Sequence, residues 1–191
     1  MDDISATSFG FFLGGSDTSS ITVTFTFYLL SIHPEIQDKL REDINTILAR
    51  YNGQITYDSL NEMKYMKQVI DETMRIFPPV PILQRVCQED YKIPGEDVII
   101  EKGTTIFMPI IGYQHDEEYF SNPEIFDPDR FSERFGIMQT KIALTSILRK
   151  FKVTLNEKTK VPLKLDPKFA LISAEGGLWL NFEKLPEIVD F

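Results

Sequence analysis

Glu72-Thr73-Met74-Arg75-Ile76-Phe77-Pro78-Pro79-Val80-Pro81 divides this chain into a helical part and a part built of strands and loops. Upstream of the prolines, Met63, Met66, Ile70, Thr73, Met74 and Phe77 recur at three and four and predict an amphipathic helix. Pro78 and Pro79 stop it, because proline lacks the N–H of the helical ladder and pushes the preceding residue out of the α region. The same helix carries Glu72 and Arg75 on one face. On a surface such a pair contributes about 0.3–0.5 kcal/mol. Here the apolar neighbours predict burial, where a guanidinium–carboxylate pair needs further hydrogen-bond partners. Arg130, in Phe126-Asp127-Pro128-Asp129-Arg130-Phe131, is the candidate third member, the alternative being an exposed loop arginine.

Further upstream, Phe9, Phe12, Leu13, Ser16, Ser20, Val23, Phe27 and Leu30 trace a first helical face, which Gly14 and Gly15 interrupt. Pro34 suits a first helical turn, and Ile36, Leu40, Ile44, Ile47 and Leu48 follow as a second helix ended by Tyr51-Asn52-Gly53. Downstream of the prolines, residues 82–87, 98–101 and 105–111 read as strands separated by Pro94-Gly95 and Lys102-Gly103. Residues 113–135 are rich in Pro, Asp and Asn and read as irregular loop. Ile137, Met138, Lys141, Ile142, Thr145, Leu148 and Arg149 restore a helix. Residues 170–173 and 178–182 alternate across Glu175-Gly176-Gly177 as a hairpin. The fold class expected is mainly α with small β-sheets, an α+β arrangement of four helical segments and two small sheets.

Gly14-Gly15-Ser16-Asp17-Thr18-Ser19 sits inside the first helix, where each glycine costs about 1 kcal/mol relative to alanine. Two readings account for it. A locally widened turn beside Asp17 and Thr18 would offer a carboxyl and a hydroxyl for a proton relay. Alternatively, the glycines serve close helix packing while the acid and alcohols face solvent.

Composition narrows the function classes. Hydrophobic residues make up 42% of the 191 residues and charged residues 26%, the balance of a globular domain. A formal net charge of -9 argues against nucleic-acid binding, which rests on lysine and arginine clusters. The N-terminus lacks the basic and apolar regions of a secretory signal, and no apolar run approaches the roughly 18 residues that would span a bilayer. With Cys87 the only cysteine and His33 and His115 the only histidines, a disulfide framework, a paired-cysteine zinc site and a histidine-rich metal site are excluded.

Taken in order, these features resemble the cytochromes P450. The family's oxygen-binding helix carries a small-Gly-x-acid-Thr segment, matched by residues 14–18. Its Glu-x-x-Arg is matched by Glu72 and Arg75, and its Pro-Glu-Arg-Phe by Pro128-Asp129-Arg130-Phe131, with Asp129 as the departure. Phe77-Pro78-Pro79-Val80-Pro81, Asp90-Tyr91-Lys92-Ile93-Pro94-Gly95, Gly103-Thr104 and Asn122-Pro123-Glu124 also agree. Thr145-Ser146-Ile147-Leu148-Arg149-Lys150-Phe151 looks most like insect microsomal members that oxidise xenobiotics. The resemblance covers essentially the whole of residues 1–191 and implies the C-terminal part of one cytochrome P450 domain, a partial cytochrome P450 fold.

The resemblance also implies roles. Gly14 and Gly15 would leave room for dioxygen over a haem b iron, Thr18 would hydrogen-bond the bound oxygen, and Asp17 would pass protons inward. Arg85 would anchor a haem propionate, and Val80, Ile82 and Leu83 would line the substrate pocket. Glu72, Arg75 and Arg130 would form a structural network. Intact relatives would be NADPH-dependent monooxygenases of the endoplasmic reticulum membrane, taking electrons from NADPH-cytochrome P450 reductase and oxidising small lipophilic substrates such as xenobiotics.

One expected piece is missing. The family holds its iron through the cysteine of a Phe-x-x-Gly-x-Arg-x-Cys loop, whose thiolate favours oxygen–oxygen cleavage. Here Phe131-Ser132-Glu133 runs straight into Arg134-Phe135-Gly136-Ile137, which resembles the stretch after that cysteine. An internal deletion near residues 133–134 accounts for both flanks. Cys87 corresponds to a non-ligand cysteine, and a neutral His115 would not supply the thiolate's electron donation. The resemblance thus implies no metal ligand in this chain, no stable haem and no monooxygenation by the chain alone. It also implies no membrane anchor, and a product that is cytosolic or unstable because helices lacking their family partners expose apolar faces. The competing reading is a haem-free truncated relative with a binding or regulatory role. Substrate choice is not legible.

Overall fold

The computed structural model describes residues 2–131, 138–168 and 171–185, and of residues 2–6, 8–13, 138 and 139 the backbone only. The expected join at residues 133–134 lies outside the described residues. Helix α1 (Asp2–Ile32) is one continuous helix, about 46 Å long at 1.5 Å per residue. Its second half is the centre of the molecule. Phe25, Phe27, Tyr28, Leu29 and Leu30 are all buried, so the helix is covered on every side there. Threonines are tolerated in this segment because their hydroxyls are satisfied locally. The Thr22 hydroxyl donates to the Thr18 carbonyl and the Thr26 hydroxyl to that of Thr22.

Helices α2 (Pro34–Arg50), α3 (Tyr57–Glu62) and α4 (Lys64–Ile76) follow. Pro34 occupies the first helical position, where its missing N–H costs nothing. Thr56 caps α3, accepting from the Ser59 amide while the Ser59 hydroxyl accepts from the Thr56 amide. Helix α4 ends at Ile76, one residue before Phe77 and the prolines, as expected. Leu30, Leu40, Ile44, Met63, Met66, Val69 and Ile70 have no exposed surface and form the core between α1, α2 and α4. Helix α6 (Met138–Leu148) closes it with Leu144 and Leu148, both fully buried.

The β structure differs from the sequence expectation in three places. Strand β1 (Ile82–Val86) pairs antiparallel with β4 (Thr105–Pro109), and β2 (Tyr91–Lys92) with β3 (Ile99–Ile100). Gly103 takes the left-handed φ of 88° in the turn before β4, and its amide reaches the Cys87 carbonyl at 2.8 Å. Residues 110 and 111 do not continue β4 but open helix α5 (Ile110–Gln114). The tail does not fold on itself either. Strand β6 (Leu180–Lys184) pairs with β5 (Phe151–Leu155), while Leu165 and Ala174 share only an isolated bridge. The reason is burial. Phe151, Val153 and Leu155 alternate, so β5 turns one face onto the helical core, with Val153 1% exposed. There are thus three two-stranded sheets among the described residues, where two were expected.

Gln37 ties these layers together. Its amide nitrogen donates to the carbonyls of Leu30 and Val153, both at 2.9 Å, and its oxygen accepts from the Val153 amide at 3.1 Å. One buried side chain thereby satisfies the end of α1 and the middle of β5.

A less well-satisfied group lies on α2. Asp43 is partly buried, its Oδ2 has no hydrogen-bond partner, and burial raises its carboxyl above the ordinary carboxylate range despite the opposing charges of Arg50, Lys141 and Lys39. A raised carboxyl pKa adds stability below the unfolded-state value, and that stability is lost as pH rises through the folded-state value. Asp43→Asn is therefore expected to raise the melting temperature at pH 8, and the advantage should shrink as the pH falls toward the ordinary carboxylate value of about 4. Thermal melts of both proteins across that range test this, and an advantage independent of pH would contradict it.

Candidate functional site

The most completely built polar constellation in the molecule starts on α4. One helical turn separates Glu72 from Arg75, and their side chains meet in a two-pronged pair, Nε to Oε2 at 2.7 Å and Nη2 to Oε1 at 2.9 Å. Both are buried, at 0% and 1% exposure. The remaining guanidinium donors reach the backbone at the end of α5 and in the segment after it. Nη1 donates to the Gln114 carbonyl at 2.8 Å, and Nη2 to those of Pro123 at 2.7 Å and Ile125 at 3.3 Å. The Phe120 ring covers the guanidinium, 5.2 Å from Cζ to the centroid. Glu72 Oε1 also accepts from the Asp127 amide at 3.0 Å.

Arg130 completes the cluster from the other side. It sits in the 3-10 turn Pro128–Phe131, and its Nε lies 3.4 Å from Glu72 Oε1. That contact is in ion-pair range but lacks hydrogen-bond alignment, since Nε has no hydrogen-bond partner. Its other nitrogens bond the Ser121 hydroxyl at 3.3 Å and the Asn122 carbonyl at 2.9 Å. Asn122 adopts a left-handed φ of 48°, a conformation that asparagine tolerates better than most residues. The structure thus brings Glu72, Arg75 and Arg130 together and pins residues 114–131 to α4. Asp129 does not join them. It pairs with Lys39 of α2 at 3.3 Å, and the Lys39 ammonium lies 4.1 Å over the Tyr65 ring. No sequence pattern pointed to Gln114, Phe120 or Lys39, because two of the contacts use backbone carbonyls and rings and all three cross between distant segments.

The Gly14 segment contains no widened turn. Helix α1 runs through it regularly, the Thr18 hydroxyl donates to the Gly14 carbonyl at 2.6 Å and the Ser19 hydroxyl to that of Gly15 at 2.8 Å. Nor do the glycines serve packing among the described residues, for a methyl group at either would meet nothing within 4 Å. Asp17 and Thr18 are partly exposed. Hydroxyl-to-carbonyl bonding along the helix satisfies these side chains without opening the ladder.

Arg85 is exposed on β1, its Nη1 bonded to the Gln84 carbonyl at 2.8 Å. An open cleft of about 460 Å³ lies between the β1–β4 ribbon and the loop before β6, lined by Ile82, Gln84 and Phe107 on one side and Leu165, Leu171 and Ile172 on the other. Ile82 therefore lines a cleft, whereas Val80 and Leu83 do not line it. Phe107 is 63% exposed there, part of a broader apolar surface that includes Ile82 and Val86.

The donor set does not fit a haem held by thiolate. Cys87 is the only cysteine, and its thiol donates to the Glu89 carbonyl at 2.9 Å while its amide and carbonyl join the β1–β4 ladder through Thr104 and Gly103. His115 Nδ1 lies 2.9 Å from the Ile111 carbonyl on α5. Among the described residues no group of three His, Cys, Asp or Glu side chains could hold a metal ion, and no helix is long and apolar enough to cross a membrane.

Fold and site together define a mostly helical α+β unit locked by a buried Glu-x-x-Arg and a distant arginine. The Cytochrome P450 family profile matches residues 1–134, and the chain belongs to the cytochrome P450 family. It is 39% identical over 207 residues to Cytochrome P450 6j1 of Blattella germanica, with 96% of this chain and 41% of that protein covered. Cytochrome P450 6a2 of Drosophila melanogaster is 37% identical over 208 residues, with 96% and 41% covered. Cytochrome P450 9e2 of Blattella germanica is 33% identical over 208 residues, with 96% and 39% covered. The chain spans about two fifths of the length of these curated relatives.

Proposed function

We propose that this chain is the C-terminal part of a haem-thiolate monooxygenase of the insect xenobiotic-oxidising type, and that an internal deletion near residues 133–134 removes its iron ligand. The carrying observation is the absent cysteine loop between Arg130 and α6. Two features of the comparisons support that placement. The family profile stops matching at residue 134. The alignments to the relatives are also longer than the chain they cover: 207 positions take in only 96% of 191 residues, leaving roughly two dozen positions with no counterpart here.

In a longer chain with the loop present, the glycines at 14 and 15, Asp17, Thr18 and Arg85 would serve the haem side, and the cleft beside Ile82 would take part of a small lipophilic substrate. NADPH, through a reductase, would be the electron source, and the endoplasmic reticulum membrane the location. Glu72, Arg75 and Arg130 act structurally, by fixing the segment that precedes the lost loop. A haem-free chain with a binding role is the second reading. One observation favours it: the buried Glu72–Arg75 pair finds its hydrogen-bond partners within this chain, although Arg130 Nε beside it is left without one.

Sequencing the transcript across Glu133–Arg134 is expected to show the join. Purified chain titrated with haem is expected to give no thiolate-type Soret band in its reduced carbon monoxide spectrum. An uninterrupted cysteine loop, or such a band from the chain as given, would overturn the proposal.

A further inference from the structure

Residues 150–168 carry six lysines against Glu157 and Asp166, in a chain of formal net charge -9. Whole-chain composition conceals this local excess. The fold gathers part of it at the end of the β5–β6 ribbon. There Thr159 is 5% exposed, and its hydroxyl donates to the Trp179 carbonyl at 2.7 Å and accepts from the Trp179 amide at 2.6 Å. This double link fixes the turn, and Lys158 and Lys160, on either side of Thr159, are exposed, as is Lys164.

Apolar groups share the surface. Trp179 is 50% exposed and Val161 is 60% exposed. The Lys158 ammonium lies 4.9 Å over the indole, whose Nε1 faces the Gly176 carbonyl at 3.4 Å. Among the described residues no carboxylate lies within ion-pair distance of Lys158, Lys160 or Lys164. Glu157 precedes Lys158 in this turn, Glu175 comes from the neighbouring turn, where its amide donates to the Lys164 carbonyl at 2.8 Å, and both acids are exposed, so charge alone leaves only a modest positive excess.

We propose that this turn is a peripheral docking site for an anionic lipid surface. Ammonium groups are drawn to anionic headgroups, and indole rings settle at the boundary between headgroups and acyl chains, so the two kinds of side chain act at the same depth. An acidic protein surface would use the lysines but leave Val161 and the indole without a role. A single-stranded nucleic acid would stack bases on a free indole face, and Lys158 already occupies one face here. The inference does not depend on the haem chemistry.

The test is flotation of the full chain, synthesised in the presence of vesicles of phosphatidylcholine alone or mixed with phosphatidylserine. The chain should float with the phosphatidylserine vesicles, stay at the bottom with neutral ones, and be released by salt. Trp179 is the only tryptophan, so its emission should shift to the blue on binding. The pair Lys158→Glu and Lys160→Glu should reduce the floating fraction at least tenfold. The proposal fails if the chain sinks as aggregate with both vesicle types, floats equally with both, or floats undiminished after the two reversals. Retention on RNA or on an acidic protein, lost on those reversals and without flotation, would assign the turn to that partner instead.

Discussion

Replacing Glu72 with alanine is expected to destabilise the chain by about 3–5 kcal/mol, because it strands the Arg75 charge in a site with no solvent. The geometry explains the size. Among the described residues Glu72 is the only carboxylate paired with Arg75, and it also holds the Asp127 amide and faces Arg130. The carbonyls of Gln114, Pro123 and Ile125 would still accept from Arg75 but cannot neutralise it. Removing the guanidinium as well, in Glu72→Ala with Arg75→Met, should therefore cost less than the two single changes summed. Urea denaturation of the four proteins measures this coupling. A loss below about 1 kcal/mol for Glu72→Ala would mean that residues 114–131 are not docked on α4 in solution.

The second large effect concerns α6, the first described element after residue 131. Leu144→Ala is expected to cost about 2–5 kcal/mol, the range for truncating a fully buried leucine. Leu144 has no exposed surface, and α6 is anchored nearby by Lys141, whose ammonium donates to the Leu60 carbonyl at 2.8 Å, and by Thr145, 3.4 Å from the Met63 sulfur. Burial also lowers the Lys141 ammonium below its ordinary value. If α6 were not docked in solution, Leu144 would be exposed and its truncation nearly neutral. Denaturation midpoints of the two proteins decide between these outcomes. The measurement separates a chain whose α6 is packed on the helical core from one whose α6 is detached from it.

Helical spacing placed α1, α2, α4 and α6, and the prolines after Phe77 placed the end of α4 within a residue. These elements are legible because their periodicity and their stop signals are local. The short helices α3 and α5 were not legible, since six and five residues carry too little periodicity to register. The tail misled for a related reason. Residues 170–173 and 178–182 flank a Glu-Gly-Gly turn and each alternates, yet the apolar face of residues 151–155 is the better partner for β6, and that preference exists only once α1 is in place to cover it.

The site divides along the same line. Order and spacing of Gly14 to Thr18, Glu72 to Arg75 and the Arg130 segment identified the family. Spacing also put Glu72 and Arg75 on one helical face. What it could not decide is that their pair is fully desolvated, that Gln114, Pro123 and Ile125 complete it, or that Gly14 and Gly15 face open space among the described residues of a regular helix. Those features arise where segments far apart in the chain meet and exclude water, so only the tertiary structure could decide them.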